Sequence, residues 1–449
     1  MFHSTNPYTG QRILEFEYHT RQQTKDALEN AHKAYADWKN FSIKKRAALI
    51  KRVGEVFQKN KEEAALTATN EMGKPIKEAI AEVEKCILLC DFYSENGEKL
   101  LANQKGNTDF ESWVTYEPIG VILGIMPWNY PYWQIFRFAI PTLLAGNTVI
   151  VKHALNVPEC ALLLEKVFSE ALENDNVYTN LFLSNERTEN LIVNDTIKGV
   201  SVTGGTAAGK AVADKAANGL KPIVLELGGS NALVVFKDAN LEKTVATCVK
   251  GRFMNNGQSC IAGKRLLLAK EIYTDFVNLL VEKVGNLKTG DPKDETTEIS
   301  VLAKREFVMD LDEQLDQSVS KGATLLIGGK NEGYFFEPTL VSDVTPDMKL
   351  FKEETFGPVL PIIKFETVEE AIELANNTSY GLGVSLFTED IDFAKSIIPK
   401  FEDGAVFINS FVKSIPQLPF GGSKISGLGR ELADEGLKAF TNIKTVVVG

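Results

Sequence analysis

Short apolar runs alternating with helix-length segments dominate the chain from about residue 119 onward. The first set comprises "VILGIMP", "NTVIVKH", "TNLFL", "KGVSVTGG" and "KPIVLELGG". After Gly228 and Gly229 the alternation resumes with "NALVVF", "RLLLA", "ATLLIGG", "VLPIIKF", "GVSLF" and "GAVFIN". Continuous aliphatic runs separated by helices are typical of parallel strands buried on both faces. The pattern therefore predicts an α/β chain with two doubly wound domains and a cleft between them.

Residues 20–102 differ, because their apolar side chains recur at helical spacing. Segments such as "TRQQTKDALENAHKAYADWK" and "KPIKEAIAEVEKCILLCDFYSENGEKLL" predict successive amphipathic helices. The segment "DFESWVTYEPIG" instead alternates its apolar residues, which favours a hairpin lying outside both sheets.

Composition narrows the class of protein. The chain has 449 residues, 44% of them hydrophobic and 24% charged, which is ample for a large core. A net charge of −11 argues against a nucleic-acid partner, which calls for clustered basic residues. No apolar stretch approaches the length of a membrane span, and "MFHSTNPYTGQRILEF" lacks the features of a signal peptide. Five cysteines without a framework spacing predict a reduced, cytoplasmic protein.

One cysteine has an unusual setting. The stretch "RFMNNGQSCIAGKR" places Cys260 after a polar turn, whereas structural cysteines sit among aliphatic side chains. Only His153 of the four histidines lies beyond the N-terminal arm and first helix, so a histidine-activated thiol hydrolase is disfavoured. Cys86 and Cys90 are four residues apart without a second ligand pair, which favours core packing over zinc. We expect no metal site.

Residues that follow the apolar runs are the next candidates, because open α/β sheets bind ligands at the carboxyl ends of strands. The segment "SVTGGTAAGKAVA" predicts a strand, a turn at Gly204 and Gly205, and a helix, an arrangement that presents N–H groups to phosphate. The segment does not match the dinucleotide pattern G-x-G-x-x-G. It also departs from the Walker pattern, because Ala211 stands where that pattern has a magnesium-binding hydroxyl. A turn without a phosphate role stays an equal alternative.

Two further strand ends carry polar side chains. Glu226 in "VLELGGS" ends an apolar run, where desolvation raises a carboxyl pKa towards base strength. Asn129 in "PWNYP" is placed to donate to a developing oxyanion. The structural alternatives are a buried carboxylate satisfied by backbone amides and an ordinary turn residue. Glu354 and Phe356 in "EETFGP" have a similar alternative, a surface acid and an anchoring aromatic.

Taken together, these motifs resemble the NAD(P)-dependent aldehyde dehydrogenase family, almost from end to end. The motifs, in order, are "NPYTG", "PWNYP", "TVIVKH", "TGGTAAG", "LELGGSNALVV", "NNGQSC", "EETFGP" and "PFGGSKISGLGRE". The resemblance implies two Rossmann-like domains and a small β oligomerisation element. It places the NAD(P)-binding domain at 1–108 and 119–227, the catalytic domain at 228–420, and the oligomerisation element at 109–118 and 430–449. A homodimer or homotetramer is expected.

The resemblance also implies roles for individual residues. Cys260 corresponds to the nucleophile, Asn129 to the oxyanion donor acting with the Cys260 N–H, and Glu226 to the base that activates water. The presence of Glu226 favours hydrolysis of the thioester over transfer to coenzyme A. The implied contacts to NAD or NADP are Trp128, Lys152, His153, Leu155, Gly204, Gly205, Leu227, Glu354 and Phe356.

Substrate and cofactor choice depend on three positions. The likeness is closest to short bacterial succinate-semialdehyde dehydrogenases, in which an arginine at the position of Arg137 grips the distal carboxylate. An ion pair between Arg137 and a protein carboxylate is the alternative, and Met254 stands where some relatives carry a second arginine. Leu155 replaces a glutamate that repels the 2′-phosphate, so we expect both NAD and NADP to be used. An uncharged or amino aldehyde is the alternative substrate, and a thiol acyltransferase or hydrolase or a nonenzymatic scaffold is the alternative class.

Overall fold

The computed structural model describes residues 1–449. The helices are α1 (Arg21–Trp38), α2 (Ile43–Lys59), α3 (Lys61–Met72), α4 (Ile76–Leu100), α5 (Trp133–Leu144), α6 (Pro158–Leu172), α7 (Asn185–Val193), α8 (Thr206–Asn218), α9 (Leu241–Phe253), α10 (Tyr273–Gly285), α11 (Arg305–Ser320), α12 (Lys349–Lys352), α13 (Val368–Asn376), α14 (Ile391–Ile397) and α15 (Ala433–Lys438). The strands are β1 (Phe2–Thr5), β2 (Arg12–Phe16), β3 (Gln104–Lys105), β4 (Ser112–Pro118), β5 (Val121–Met126), β6 (Thr148–His153), β7 (Tyr178–Asn180), β8 (Ile197–Thr203), β9 (Ile223–Glu226), β10 (Asn231–Val235), β11 (Gly263–Ala269), β12 (Thr324–Ile327), β13 (Asn331–Glu332), β14 (Phe335–Phe336), β15 (Thr339–Ser342), β16 (Val359–Phe365), β17 (Val384–Phe387), β18 (Val406–Ile408), β19 (Gly427–Leu428) and β20 (Thr441–Val447).

The predicted N-terminal helices are confirmed as α1 to α4. Helix α1 begins at a capping box, in which Thr20 accepts from the backbone of Gln23 and the Gln23 side chain accepts from the backbone of Thr20. Helix α4 packs against α2, α3 and α5, so it brings its middle turns beside the start of α5. No helix in the chain is both long enough and apolar enough to cross a membrane.

The first apolar runs form a six-stranded sheet in the order β19-β9-β8-β5-β6-β7. The five strands from β9 to β7 in this order are parallel to one another, as the sequence predicts. The edge strand β19 was not predicted, because its two residues form no apolar run. It pairs antiparallel with β9 through Gly427 opposite Glu226 and Leu428 opposite Leu225. A segment from near the C-terminus therefore lies beside the strand that carries Glu226.

The later runs form a seven-stranded sheet in the order β12-β15-β16-β11-β10-β17-β18. All neighbouring pairs are parallel except the edge strand β12, which is antiparallel to β15. The prediction of a second doubly wound sheet is confirmed, although β15 escaped the sequence analysis. Separate apolar clusters fill the two faces of this sheet, which fixes β11, the strand that follows the cysteine turn.

A third sheet lies outside both, in the order β20-β4-β3. The predicted hairpin within 109–118 is wrong in detail, because residues 112–118 form the single strand β4. Strand β4 instead pairs antiparallel with β3. Strand β20 pairs with the full length of β4, from Thr441 opposite Pro118 to Val447 opposite Ser112. The other edge of β20 is left without a partner strand.

Candidate active site

The turn before Cys260 has a left-handed backbone. Asn255 and Asn256 both have φ of 55°, and Gly257 has φ of 75°. Asparagine tolerates this region better than most residues. Only glycine fits the third position, because a Cβ there would lie 2.3 Å from the carbonyl oxygen of Gly357. The "NNG" sequence therefore forms a sharp turn between the end of helix α9 and Cys260.

Hydrogen bonds from distant segments hold this turn. The Asn255 N–H donates to Oε2 of Glu78 on α4 at 2.5 Å. The Asn256 side chain donates to the Val301 carbonyl at 2.8 Å and accepts from the Ser300 N–H at 2.8 Å. These buried contacts offset the unfavourable backbone conformation, since regions of strained backbone persist only where the surroundings fix them.

Asn129 lies beside the thiol turn. Its side-chain amide donates to the Gln258 carbonyl at 3.0 Å, and the Asn255 amide donates to the Asn129 carbonyl at 2.8 Å. A side-chain amide has two N–H donors. The one that Gln258 does not use is available for an oxyanion formed on a substrate bound to Cys260.

Lys264 contacts the backbone of Cys260. Its buried ammonium donates to the carbonyls of Gly229 at 2.6 Å and Cys260 at 2.9 Å, and to Oε1 of Glu354 at 2.5 Å. Burial raises the pKa of the Cys260 thiol above its ordinary value, while the positive charges of Arg137 and Lys264 act in the opposite direction. The resting side chain is therefore mainly a thiol at neutral pH, and the two cations favour its ionised form.

Glu226 ends β9 with a buried side chain. Neither of its carboxyl oxygens has a hydrogen-bond partner in the protein, which excludes the alternative of a carboxylate satisfied by backbone amides. Burial raises its pKa well above the ordinary range, Arg137 partly opposes this rise, and Glu431 adds to it. Burial thus shifts this carboxyl group in the direction that makes its carboxylate a stronger base.

A cleft of about 290 Å³ extends from the carboxyl ends of strands in the first sheet to Cys260. Asn129, Glu226 and Cys260 line it together with six of the predicted cofactor contacts, Trp128, Gly204, Gly205, Leu227, Glu354 and Phe356. A Cβ on either glycine would meet nothing within 4 Å, and no side chain caps the N-terminus of α8. The open N–H groups and the helix dipole suit a pyrophosphate. The residues present therefore fit a dinucleotide.

The end of β6 and the residues just after it include three of the predicted cofactor contacts. Lys152 and Leu155 are half-buried, whereas His153 is fully buried. One ring nitrogen of His153 lies 2.9 Å from the Pro131 carbonyl, and the other accepts from the Ala154 N–H at 2.7 Å. Burial lowers its pKa to about 4, so the ring is neutral. The ring therefore braces the loop that follows Asn129, and the contact of His153 with a cofactor stays a prediction that only its backbone could meet.

Arg137 lines a second cavity, the catalytic cavity, which has a volume of about 370 Å³ and also contains Cys260. Its buried guanidinium forms an ion pair with Glu431 and lies 3.4 Å from the Thr203 hydroxyl. The structure thus contains the internal ion pair that was the alternative to a substrate contact. The charge of Arg137 is largely compensated before any substrate binds.

The comparison with protein-family models matches residues 1–446 to the aldehyde dehydrogenase family. The chain belongs to this family. A probable succinate-semialdehyde dehydrogenase [NADP(+)] of Synechocystis sp. is 39% identical over 445 residues, 98% of each chain. A succinate-semialdehyde dehydrogenase [NADP(+)] of Deinococcus radiodurans is 39% identical over 449 residues, covering 99% of this chain and 94% of the relative.

Solved structures of aldehyde dehydrogenases superpose on the whole chain. Succinic semialdehyde dehydrogenase from Streptococcus pyogenes in complex with NADP+ has a TM-score of 0.97 at 34% identity, with all of both chains covered. Betaine aldehyde dehydrogenase from Staphylococcus aureus in complex with NAD+ has a TM-score of 0.95 at 30% identity, covering 99% of this chain and 91% of that one. The predicted family and fold are confirmed.

Four residues of the aldehyde dehydrogenase site escaped the sequence analysis: Lys85, Gln134, Lys264 and Ser414. Lys264 contacts Cys260 and Glu354, while Gln134 lines both the cleft and the catalytic cavity. Lys85 and Ser414 bond across 329 positions of sequence. Their residue types are common on any surface, so only the three-dimensional contacts reveal them.

The raised pKa of Cys260 predicts a steep pH dependence of thiol reactivity. The thiolate is the reactive form, so alkylation by iodoacetamide should accelerate about tenfold per unit between pH 7 and pH 9 in the protein alone. The other four cysteines are fully buried, and Cys260→Ala supplies the background rate. Mass spectrometry of the peptide containing Cys260 measures the rate. A rate that is flat over this range contradicts the assignment of a resting thiol.

Proposed function

We propose that this enzyme oxidises succinate semialdehyde to succinate, with NADP or NAD as acceptor, through a thioester on Cys260. The observation that carries the proposal is the position of Cys260, which lines both the catalytic cavity and the cleft. Asn129 and Glu226 line the cleft beside it. The two curated relatives named above, which cover nearly the whole chain, support the choice of substrate.

The residues suggest a sequence of proton and bond changes. The Cys260 sulfur bonds to the aldehyde carbon, and the free Asn129 N–H and the Cys260 backbone N–H donate to the oxygen as it gains charge. When bound in the cleft, a nicotinamide dinucleotide supplies the hydride acceptor. Glu226 then takes a proton from water, whose oxygen attacks the thioester carbon. The carbon–sulfur bond breaks and the acid is released. The proton that Glu226 took from water returns to the sulfur, which replaces the proton that the Cys260 thiol lost when its bond to the aldehyde carbon formed.

Electrostatics in the catalytic cavity support an anionic substrate. Lys85, Lys250 and Lys413 line its wall. Of the two acids there, Glu82 forms an ion pair with Lys74, and burial raises the pKa of Glu78 to about 7. The cavity therefore presents more positive than negative charge near neutral pH, which favours a carboxylated aldehyde over an amino aldehyde.

The adenosine end of the proposed site favours use of NADP. Leu155 supplies no negative charge against a 2′-phosphate. Burial lowers the pKa of Lys152, and the positive charge of Lys304 lowers it as well. Neither lysine forms an ion pair with an acid. A phosphate placed between them would relieve their repulsion.

Lys304→Met is expected to raise the KM for NADP by about tenfold and to change the KM for NAD less than about twofold. The loss corresponds to one charge-assisted contact with the 2′-phosphate. Initial rates at saturating aldehyde measure both constants, with Lys210→Met as a control that removes an exposed lysine of α8 that does not line the cleft. Equal increases for both cofactors would show that Lys304 does not select the phosphate.

The test of the proposed function is the formation of reduced cofactor, followed by absorbance at 340 nm. Succinate semialdehyde is compared with butanal, betaine aldehyde and 4-aminobutanal, each with NAD and with NADP. We expect the highest kcat/KM with succinate semialdehyde and measurable turnover with both cofactors. Higher efficiency with a cationic or uncharged aldehyde refutes the proposed substrate, and no reduced cofactor with any aldehyde refutes the proposed reaction.

We also propose a homodimer or homotetramer in the cytoplasm, with the domain bounds given in the sequence analysis. Strand β20 supports the assembly because its outer edge is unpaired and its side chains Ile443 and Val447 are 64% and 56% exposed. Five cysteines without a disulfide support a reducing compartment. Light scattering of the purified enzyme measures the assembly directly.

A further inference from the structure

Three lysines in the wall of the catalytic cavity, Lys85, Lys250 and Lys413, have no acidic partner, and Lys85 is the one of them that is not exposed. Lys85 extends from α4, and no carboxylate oxygen of the protein lies within ion-pair distance of its ammonium. By contrast, Arg137 in the same wall is paired with Glu431. The acid one turn before Lys85 on α4, Glu82, is occupied by Lys74. Lys85 therefore carries an uncompensated positive charge in the same cavity wall as Arg137 and Glu82.

The contacts of Lys85 fix its ammonium without neutralising it. It donates to the Ser414 hydroxyl at 2.7 Å and lies 4.0 Å from the centre of the Trp133 ring. The Trp133 indole N–H donates to the same hydroxyl at 3.0 Å. Because the Ser414 oxygen accepts from both, its own proton is left to donate elsewhere, and the ammonium keeps two further N–H donors. Three donors and a positive charge are thus grouped at one point.

A carboxylate is the ligand that matches this group. It has two oxygens that accept several hydrogen bonds, and a charge opposite to that of Lys85. Cys260 lines the same cavity, so an aldehyde bound covalently at the sulfur has its other end within this wall. The partly buried setting reduces solvent screening of the pair.

We propose that Lys85 is the specificity-determining residue, binding the carboxylate at the far end of the substrate. The inference rests on the proposed function, in which the substrate is a semialdehyde with a free carboxylate. Arg137, held by Glu431, shapes the cavity and contributes a buried dipole with its partner. Lys85, held by neutral groups, supplies the charge that attracts the substrate.

The protonation of Lys85 gives this role a signature in pH. The pKa of Lys85 is lowered to about 8, mainly by burial and also by the charge of Arg137, while Cys86, Glu82 and Cys260 act in the opposite direction. The ammonium is the main form below that value and is lost above it. The KM for the carboxylated substrate should therefore rise from pH 8 to pH 9.5, relative to the KM for its uncharged ester. Titration of Cys260 changes both reactions and cancels in the ratio.

The test compares succinate semialdehyde with methyl 4-oxobutanoate, its uncharged ester, at saturating NADP. In Lys85→Met, kcat/KM for the acid should fall by about 10- to 100-fold while that for the ester changes less than about twofold. Lys85→Arg restores the cation and should regain most of the preference for the acid. Lys77→Met removes an exposed lysine of the same helix that does not line the cavity and should alter the preference by less than about threefold.

The outcomes separate this inference from the proposed function. A wild-type enzyme that does not prefer the acid to the ester overturns the proposed substrate, and the role of Lys85 with it. A wild-type preference that survives in Lys85→Met overturns the role of Lys85 alone. Equal losses for acid and ester in Lys85→Met, or Lys85→Arg as unselective as Lys85→Met, also overturn it. A KM ratio that does not change between pH 8 and pH 9.5 does the same.

Discussion

Cys260→Ala should abolish aldehyde-dependent formation of reduced cofactor, a loss of about 10⁶-fold in kcat, the size expected when a covalent nucleophile is deleted. The structure offers no second thiol to replace it, because the other four cysteines are fully buried. Stopped assays at high enzyme concentration, read by absorbance of the reduced cofactor, set the detection limit for the residual rate.

The matched control for this variant is Cys248→Ala. Cys248 lies on the buried face of α9, in an apolar cluster, so the same change of side chain removes a sulfur from the core and leaves the site intact. It should keep activity close to wild type, and quenching of tryptophan fluorescence by NADP should show that Cys260→Ala still binds the cofactor. A folded Cys260→Ala enzyme with more than about one thousandth of wild-type kcat would exclude the thioester route.

Arg137→Ala should lower the free energy of unfolding by about 3–5 kcal/mol, the loss typical of removing one partner from a buried ion pair. The variant leaves the Glu431 carboxylate buried without its guanidinium, and only the Ser201 hydroxyl still donates to it, at 3.1 Å. The midpoint of urea unfolding, followed by circular dichroism, measures the change.

The double variant Arg137→Met with Glu431→Gln tests the cause. It removes both charges while keeping similar volumes, so it should regain most of the lost stability. If Arg137→Ala is as stable as wild type and loses only its preference for carboxylated aldehydes, then Arg137 binds substrate directly. That result would favour the role that the sequence first suggested for it.

The sequence predicted the two sheets well, because their strands are long aliphatic runs between helices. It missed β15 and β19, since four buried residues and two glycine-rich edge residues give no periodic signal. The predicted residues Cys260, Asn129 and Glu226 meet at the cleft. Asn129 follows β5 and Glu226 ends β9, whereas Cys260 reaches the cleft through the turn that follows α9. Their proposed roles await the kinetic tests.

The remaining parts of the site depend on contacts between distant segments. The sequence left two interpretations open for Arg137, and the choice needed the position of Glu431, 294 residues away. His153 adjoins a residue implied to bind the cofactor, yet its ring points into the protein and accepts backbone contacts there. The position of His153 in the sequence therefore predicted its strand but not the direction of its ring.

The left-handed turn at 255–257 has a consequence for the order in which this enzyme becomes active. Its backbone is held by Glu78 from the helical region, by Ser300 and Val301 from the loop before α11, and by close packing on Gly357. None of these partners is near the turn in sequence, so a partly assembled chain lacks the contacts that fix it. We therefore expect reactivity at Cys260 to depend on the assembly of all of these segments.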